Sequence, residues 1–204
     1  MDVQKKTLAA KEKTSERVQK LRESFCEWQK EAPATKLVFV DESGSTRHMT
    51  RLYGWAPSHE RLHEYVPRNR GRTITMIGAM SSNGILTMVT GEGGTTGDVF
   101  HAFVKQQLLP CLEQGDIVVM DNLKAHKDKR IRPLIESVGA KVYFQPPYSP
   151  EFNAIELAWF FIKSMMKLAK PRTREAIEFA LAWAIGDITP KMATAWIKHC
   201  GFVF

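Results

Sequence analysis

Apolar positions change their period several times along the chain, and each change marks an element. Near the N-terminus Val18, Leu21, Phe25 and Trp28 recur at steps of three and four within a charged, helix-prone stretch covering residues 1–30, the stripe of an amphipathic helix. Such a stripe needs a surface to pack on, either its own domain or a partner chain. Pro33 closes this helix, because proline disfavours helical geometry in the residue before it. Residues 37–40, Leu-Val-Phe-Val, are continuously apolar, which predicts a central strand buried on both faces. A long polar segment, 43–72, follows, with a turn at Gly54-Trp55-Ala56-Pro57 and a short strand or hairpin beside it. Residues 73–80 and 85–90 predict two strands joined at Ser82-Asn83-Gly84, since Asn and Gly tolerate positive φ.

Further along, Asp98 is a candidate cap for a helix that buries Val99, Phe103, Val104, Leu108 and Leu109. Residues 117–120 form the next apolar strand, 128–138 a helix stopped at Gly139, and 141–145 another strand. After Pro146-Pro147-Tyr148-Ser149-Pro150 come helices over 153–169, 172–185 and 190–199. This order predicts an α/β domain, a mixed sheet with helices on its faces. No glycine-rich phosphate loop follows the first strand, which argues against a small nucleotide-binding sheet. With 204 residues, 44% of them hydrophobic, the chain suits one sizeable core. The expected division is an N-terminal linker helix in 1–33, the sheet domain in 34–170 and C-terminal helices in 171–204.

Charge adds a partner class. Lys and Arg number 29 against 22 Asp and Glu, for a net charge of +7 and a pI near 9.4, which favours polyanions. The excess is concentrated in Lys124, Lys127, Lys129, Arg130 and Arg132, in Lys163, Lys167, Lys170, Arg172 and Arg174, and in an arginine-rich run that includes Arg47, Arg68, Arg70 and Arg72. Any one cluster could equally be an ordinary solvated face. Three cysteines without paired spacing indicate neither a disulfide framework nor a cysteine zinc site. No apolar run reaches the roughly 18 residues that a membrane span needs, and no signal-peptide core is present, so a soluble, cytoplasmic protein is expected.

The candidate chemistry lies in three carboxylates. Asp41 and Asp121 each follow an apolar run, and 34 residues separate Asp121 from Glu156 in the first turn of the 153–169 helix. Strand ends in open sheets are where sites collect. Singly, each has a plain structural explanation: Asp41 capping a turn, Asp121 beginning one, Glu156 complementing a helix dipole. Together they predict a metal site. Two such charges about 4 Å apart repel by about 4 kcal/mol at an effective dielectric near 20, and hard oxygen donors select Mg²⁺ or Mn²⁺. Two ions could clamp a phosphodiester between attacking and leaving oxygens.

The blocks Val38-Phe39-Val40-Asp41-Glu42, Met120-Asp121-Asn122-Leu123-Lys124-Ala125-His126 and Pro146-Pro147-Tyr148-Ser149-Pro150-Glu151-Phe152-Asn153-Ala154-Ile155-Glu156 resemble the catalytic domain of mariner-like transposases, nearest the bacterial insertion-sequence 630 group. The resemblance runs from about residue 36 to 170. It implies a ribonuclease-H-like fold and an Asp41, Asp121, Glu156 triad holding two Mg²⁺ or Mn²⁺ ions. It further implies cleavage at transposon ends and attack of the freed 3′-hydroxyl on target DNA at TA. Asn122, His126 and Asn153 match positions beside the triad, as phosphate contacts, carboxylate supports or local backbone partners. Tyr148 is expected to pack the proline turn. Lys124, Lys127, Arg68, Arg70, Arg72, Lys163 and Lys167 are the candidate contacts to double-stranded DNA. The 47–72 run sits where the family inserts a clamp reaching a partner subunit, so DNA binding and a homodimer contact are competing readings of it. Ala154 stands where the family usually has proline.

Family members carry helix-turn-helix modules before the catalytic domain, and about 35 residues here precede the first strand. The expectation is the catalytic half of a split frame or a truncated copy, partnered by a helix-turn-helix half, with 15–30 as the linker helix and a nucleoid-associated place in a bacterial cytoplasm. Two alternatives stay open. One is a catalytically silent remnant that binds DNA or a full-length subunit, and the other is a ribonuclease-H-type nuclease acting on RNA:DNA hybrids.

Overall fold

A computed structural model describes residues 10–204 apart from positions 52, 64 and 70. Arg70, a candidate DNA contact, and residues 1–9 of the charged N-terminal stretch thus lie outside the described residues. Five strands form one sheet: β1 (Leu37–Ser45), β2 (Ile74–Ser81), β3 (Gly84–Glu92), β4 (Ile117–Met120) and β5 (Lys141–Phe144), in the order β3-β2-β1-β4-β5. β1 pairs antiparallel with β2 and parallel with β4; β2–β3 is an antiparallel hairpin and β4–β5 a parallel pair. The sheet is therefore mixed, with β1 at its centre.

Strand alternation splits the apolar residues between two cores. Leu37, Phe39, Met76, Met80 and Val119 face one side. There they meet α1 (Glu16–Glu31), α4 (Ile155–Ala169), α5 (Arg174–Gly186) and α6 (Pro190–His199) through Phe25, Trp159, Ile177 and Ile197. Val38, Val40, Ile77, Val118 and Met120 face the other. That side is covered by α2 (Gly97–Phe103), the π-helical turn Val104–Leu108 and α3 (Ile131–Glu136). Burying each large side chain contributes about 1.5–3 kcal/mol, so both helical layers are held by the sheet.

The N-terminal stripe finds its surface within the chain. Phe25 stacks on Phe152 at 5.0 Å, and Trp28 lies flat on Tyr143 at 3.8 Å; Leu21, by contrast, is exposed. Several expectations change. β1 does not stop at Asp41 but runs to Ser45, because β2 supplies hydrogen-bond partners as far as Ile74. Thr96, not Asp98, caps α2 by accepting from Val99 N–H, and Val99 itself is exposed. The 128–138 helix shortens to α3, where Asp128 instead accepts from the Arg130 backbone and guanidinium. The 153–169 helix begins at Ile155, preceded by a 3₁₀ turn at Pro150–Phe152. Between 46 and 73 the described residues form no strand.

Candidate active site

The sheet registry creates the cleft. Parallel pairing of β1 with β4 stops at Phe39–Val119, while β1 continues alongside β2. Asp41 and Asp121 therefore sit just past the last parallel pair. Glu156 is the second residue of α4. The three carboxylates line one cleft of about 390 Å³ together with Gln145, Tyr148 and Asn153. Gly78 lies opposite Asp41 in register, and a Cβ there would come within 2.9 Å of the Trp159 ring. That space lets the buried Trp159 donate its indole N–H to Asp41 Oδ2 at 3.2 Å.

Each carboxylate has its own electrostatic setting. Burial raises the Asp41 carboxyl, the Glu156 charge raises it further, and it stands at about 7. Glu156 is exposed at the rim, yet partial desolvation pushes its carboxyl above the usual range against the pull of Lys163. Asp121 goes the other way. Burial would raise it, but His126, the Leu123 N–H at 2.8 Å and Lys127 together hold it below the ordinary value. His126 is fully buried, with Nε2 2.9 Å from Glu42 Oε2 and Nδ1 2.6 Å from Asp121 Oδ1. The Asp121 contact is an ion pair poorly aligned for a hydrogen bond. Burial opposes a charge on the imidazole, but its two carboxylate neighbours raise it to about 9, and Phe100 closes over it at 4.3 Å.

The supporting residues occupy three different situations. Asn122 donates its amide to the Gln145 carbonyl at 2.5 Å, a local backbone bond. His126 links two carboxylates. Asn153 is buried in the cleft wall, its Oδ1 without a hydrogen-bond partner among the described residues. Tyr148 is half exposed at φ +57° and lines the cleft beside Pro146, Pro147 and Pro150. Among the candidate DNA contacts, Lys127 acts on Asp121 and Lys163 on Glu156, while Lys124 and Arg68 are exposed. Lys167 lines a separate depression with Arg51 and Tyr53, and Arg72 pairs with Glu92 at 2.9 Å. Arg172 is consumed structurally, donating to the Arg47 and Met49 carbonyls and to Thr50.

Sequence reasoning assigned no role to Glu42, Trp159, Gln145 or Arg22. Trp159 had a readable signal, lying three residues from Glu156 on the same helix face. Arg22 had none: its guanidinium reaches from α1 to Ser149 Oγ at 2.5 Å and Glu151 at 2.8 Å, bracing the turn that leads into α4.

Three hard oxygen donors around one cleft suit Mg²⁺ or Mn²⁺ in kind, and the Glu156 charge, which adds to burial in raising Asp41, is what a divalent cation would offset. The arrangement is open: among the described residues no three acidic, histidine or cysteine side chains are drawn together closely enough to hold an ion.

Residues 36–178 match the family model described as DDE superfamily endonuclease. The chain belongs to the DDE superfamily endonucleases. No curated protein matches it in sequence. Among solved structures, this DDE domain is similar to the Mos1 transposase paired-end complex with left transposon end, with a TM-score of 0.74 and 18% identity over 98% of this chain and 64% of that one. The Mos1 strand transfer complex gives 0.73 and 18%, covering 98% of this chain and 63% of that one. The catalytic domain of Mos1 mariner transposase gives 0.59 and 15%, covering 96% and 97%. At these identities the likeness is one of fold, that of the ribonuclease-H-like catalytic domain. The chain spans just under two thirds of the full Mos1 chains. No helix among the described residues is long and apolar enough to cross a membrane.

Proposed function

We propose that this DDE domain is the catalytic part of a DNA transposase of the mariner-like, insertion-sequence 630 branch, cutting transposon ends and joining them to TA targets. The observation that carries this reading is the shared cleft of Asp41, Asp121 and Glu156 in a chain whose residues 36–178 match the endonuclease family. The 34-residue spacer and the proline turn support the branch. Structural neighbours determined with Mn and Mg support a divalent ion. Two Mg²⁺ or Mn²⁺ ions held by the three carboxylates would supply charge neutralisation at the phosphodiester and polarisation of the attacking hydroxyl.

The chain's own residues orient those donors. Trp159 holds one oxygen of Asp41, and His126, itself held by Glu42, lies against one oxygen of Asp121. Arg22 and Lys13 hold Glu151, and so the turn before Glu156. Lys127 and Lys163 place positive charge beside the cleft for the DNA backbone. Tyr53, Trp55 and Tyr65 are almost fully exposed in the 46–73 segment, which supports a homodimer contact there. A helix-turn-helix half would supply end recognition, as the family resemblance implies.

Nicking of supercoiled plasmid tests the proposal. The native chain should nick with Mg²⁺ or Mn²⁺ and not in EDTA, and Asp41→Asn, Asp121→Asn and Glu156→Gln should each lose at least about a hundredfold. Equal activity in all four proteins would sink it. Metal-independent DNA binding by a folded but inactive native chain would establish the silent remnant instead.

A further inference from the structure

A second hollow, of about 450 Å³, opens between α1 and β5 and joins the carboxylate cleft through a common wall of Asn122, Gln145, Pro146 and Pro147. Its chemistry is one-sided. Arg17, Lys127 and Arg132 line it and, among the described residues, no acid does. Arg17 and Lys127 have no acidic partner among the described residues within ion-pair distance, and Arg132 pairs with Glu136, one turn along its own helix, at 3.3 Å and donates to the Val142 carbonyl at 3.4 Å. Phe144 forms an aromatic wall, with the Arg132 guanidinium 5.7 Å and the Lys127 ammonium 5.9 Å from its ring centre.

The junction carries an independent sign of a ligand. Gln145 is only 4% exposed, lines both hollows, and its side-chain Nε2 has no hydrogen-bond partner among the described residues. A buried, unpaired amide donor is costly unless something fills the place. A phosphate oxygen or a base carbonyl would fill it. The hollow has the volume of a small-ligand site, too small for a duplex but suited to a strand whose phosphates lie on the cations and whose base lies on Phe144.

We propose that this groove seats single-stranded DNA, the unpaired stretch beside the phosphate being cut, led out of the cleft past Gln145 and along Arg17, Lys127 and Arg132. The identity of the polyanion rests on the nuclease reading above; the groove's preference for a single strand rests on its size, its aromatic wall and the open amide.

The test is fluorescence anisotropy of the full chain in EDTA, with a labelled oligothymidylate of about twelve nucleotides, a matched abasic oligomer and a matched duplex. Replacing Arg17 and Lys127 together by glutamine should weaken oligothymidylate binding about tenfold and flatten the plot of log affinity against log salt by about 1.4, at ~0.7 per lost phosphate contact on a single strand. Lys105→Gln, in the π-helical turn beside β3 and so at the far edge of the sheet from β5, should change little. Phe144→Leu should weaken oligothymidylate about tenfold and spare the abasic oligomer. An unchanged salt slope in the double variant, an equal loss with Lys105→Gln, or a larger loss for duplex than for single strand would each overturn the groove. Because no cleavage is measured, a chain that never nicks can still pass. A chain that nicks but fails here loses the groove alone.

Discussion

Replacing Asp41 by asparagine should stabilise the ion-free protein at alkaline pH, although it removes a charge from the candidate site. An unperturbed aspartate titrates near ~3.9; in the fold Asp41 stands at about 7, through burial first and the Glu156 charge second. Below about pH 4 both folded and unfolded chains hold the proton, and nothing is lost. Between ~4 and ~7 the unfolded chain releases a proton that the folded chain keeps, so stability falls as pH rises. Above ~7 both are ionised and the full penalty stands. Roughly three units at ~1.36 kcal/mol each give about 4 kcal/mol as an upper bound. Since the shift is shared with Glu156 and Glu42, the single replacement should return about 2–4 kcal/mol. For a domain of this size that is a Tm increase of roughly 5–15 °C at about pH 8. Asparagine keeps an oxygen for the Trp159 N–H, so the packing is retained. Differential scanning calorimetry in EDTA at about pH 8 and at about pH 4.5 reads the effect, and the gap should shrink to roughly a quarter at the lower pH. Added Mg²⁺ should raise the Tm of the native chain and leave the variant's almost unchanged. A variant no more stable than the native chain at the higher pH, or a gap of equal size at both, would refute the reasoning.

Arg22→Ala removes a mostly buried guanidinium from Ser149 and Glu151 and should cost about 2 kcal/mol by urea unfolding. Plasmid nicking should slow with little change in DNA affinity, while Arg22→Lys, which keeps a cation beside Glu151, should recover part of both. Gly78→Ala places a methyl 2.9 Å from the Trp159 ring and should destabilise by about 1–3 kcal/mol. Trp159 fluorescence should shift as the ring leaves Asp41, and a native-like spectrum with native stability would contradict the close fit.

The five strands and most helices were legible because each had a period or a punctuating residue. Continuous apolar runs marked β1 and β4, Asn83-Gly84 marked the hairpin, and Gly139 marked the stop after α3. Element ends were read less well, and for a common reason. Asp41 looks terminal in sequence because polarity begins there, but strand length is decided by hydrogen-bond partners on β2. Asp98 looks like a cap, yet Thr96 has the backbone position that reaches Val99 N–H.

Sequence by itself determined the residues of the candidate site and the fold class, because carboxylates after apolar runs, a rigid proline turn and a fixed spacer are local features of the chain. Only the tertiary structure decided how those carboxylates differ. Asp41 is raised by burial and by the Glu156 charge, while Asp121 is held down against burial by His126, the Leu123 N–H and Lys127, and these groups come from separate strands, helices and loops. The same holds for the Arg22 brace, which spans more than a hundred residues, and for the groove beside the cleft, whose walls belong to α1 and β5. Electrostatic shifts depend on distance and burial in space, and neither follows from position along the chain.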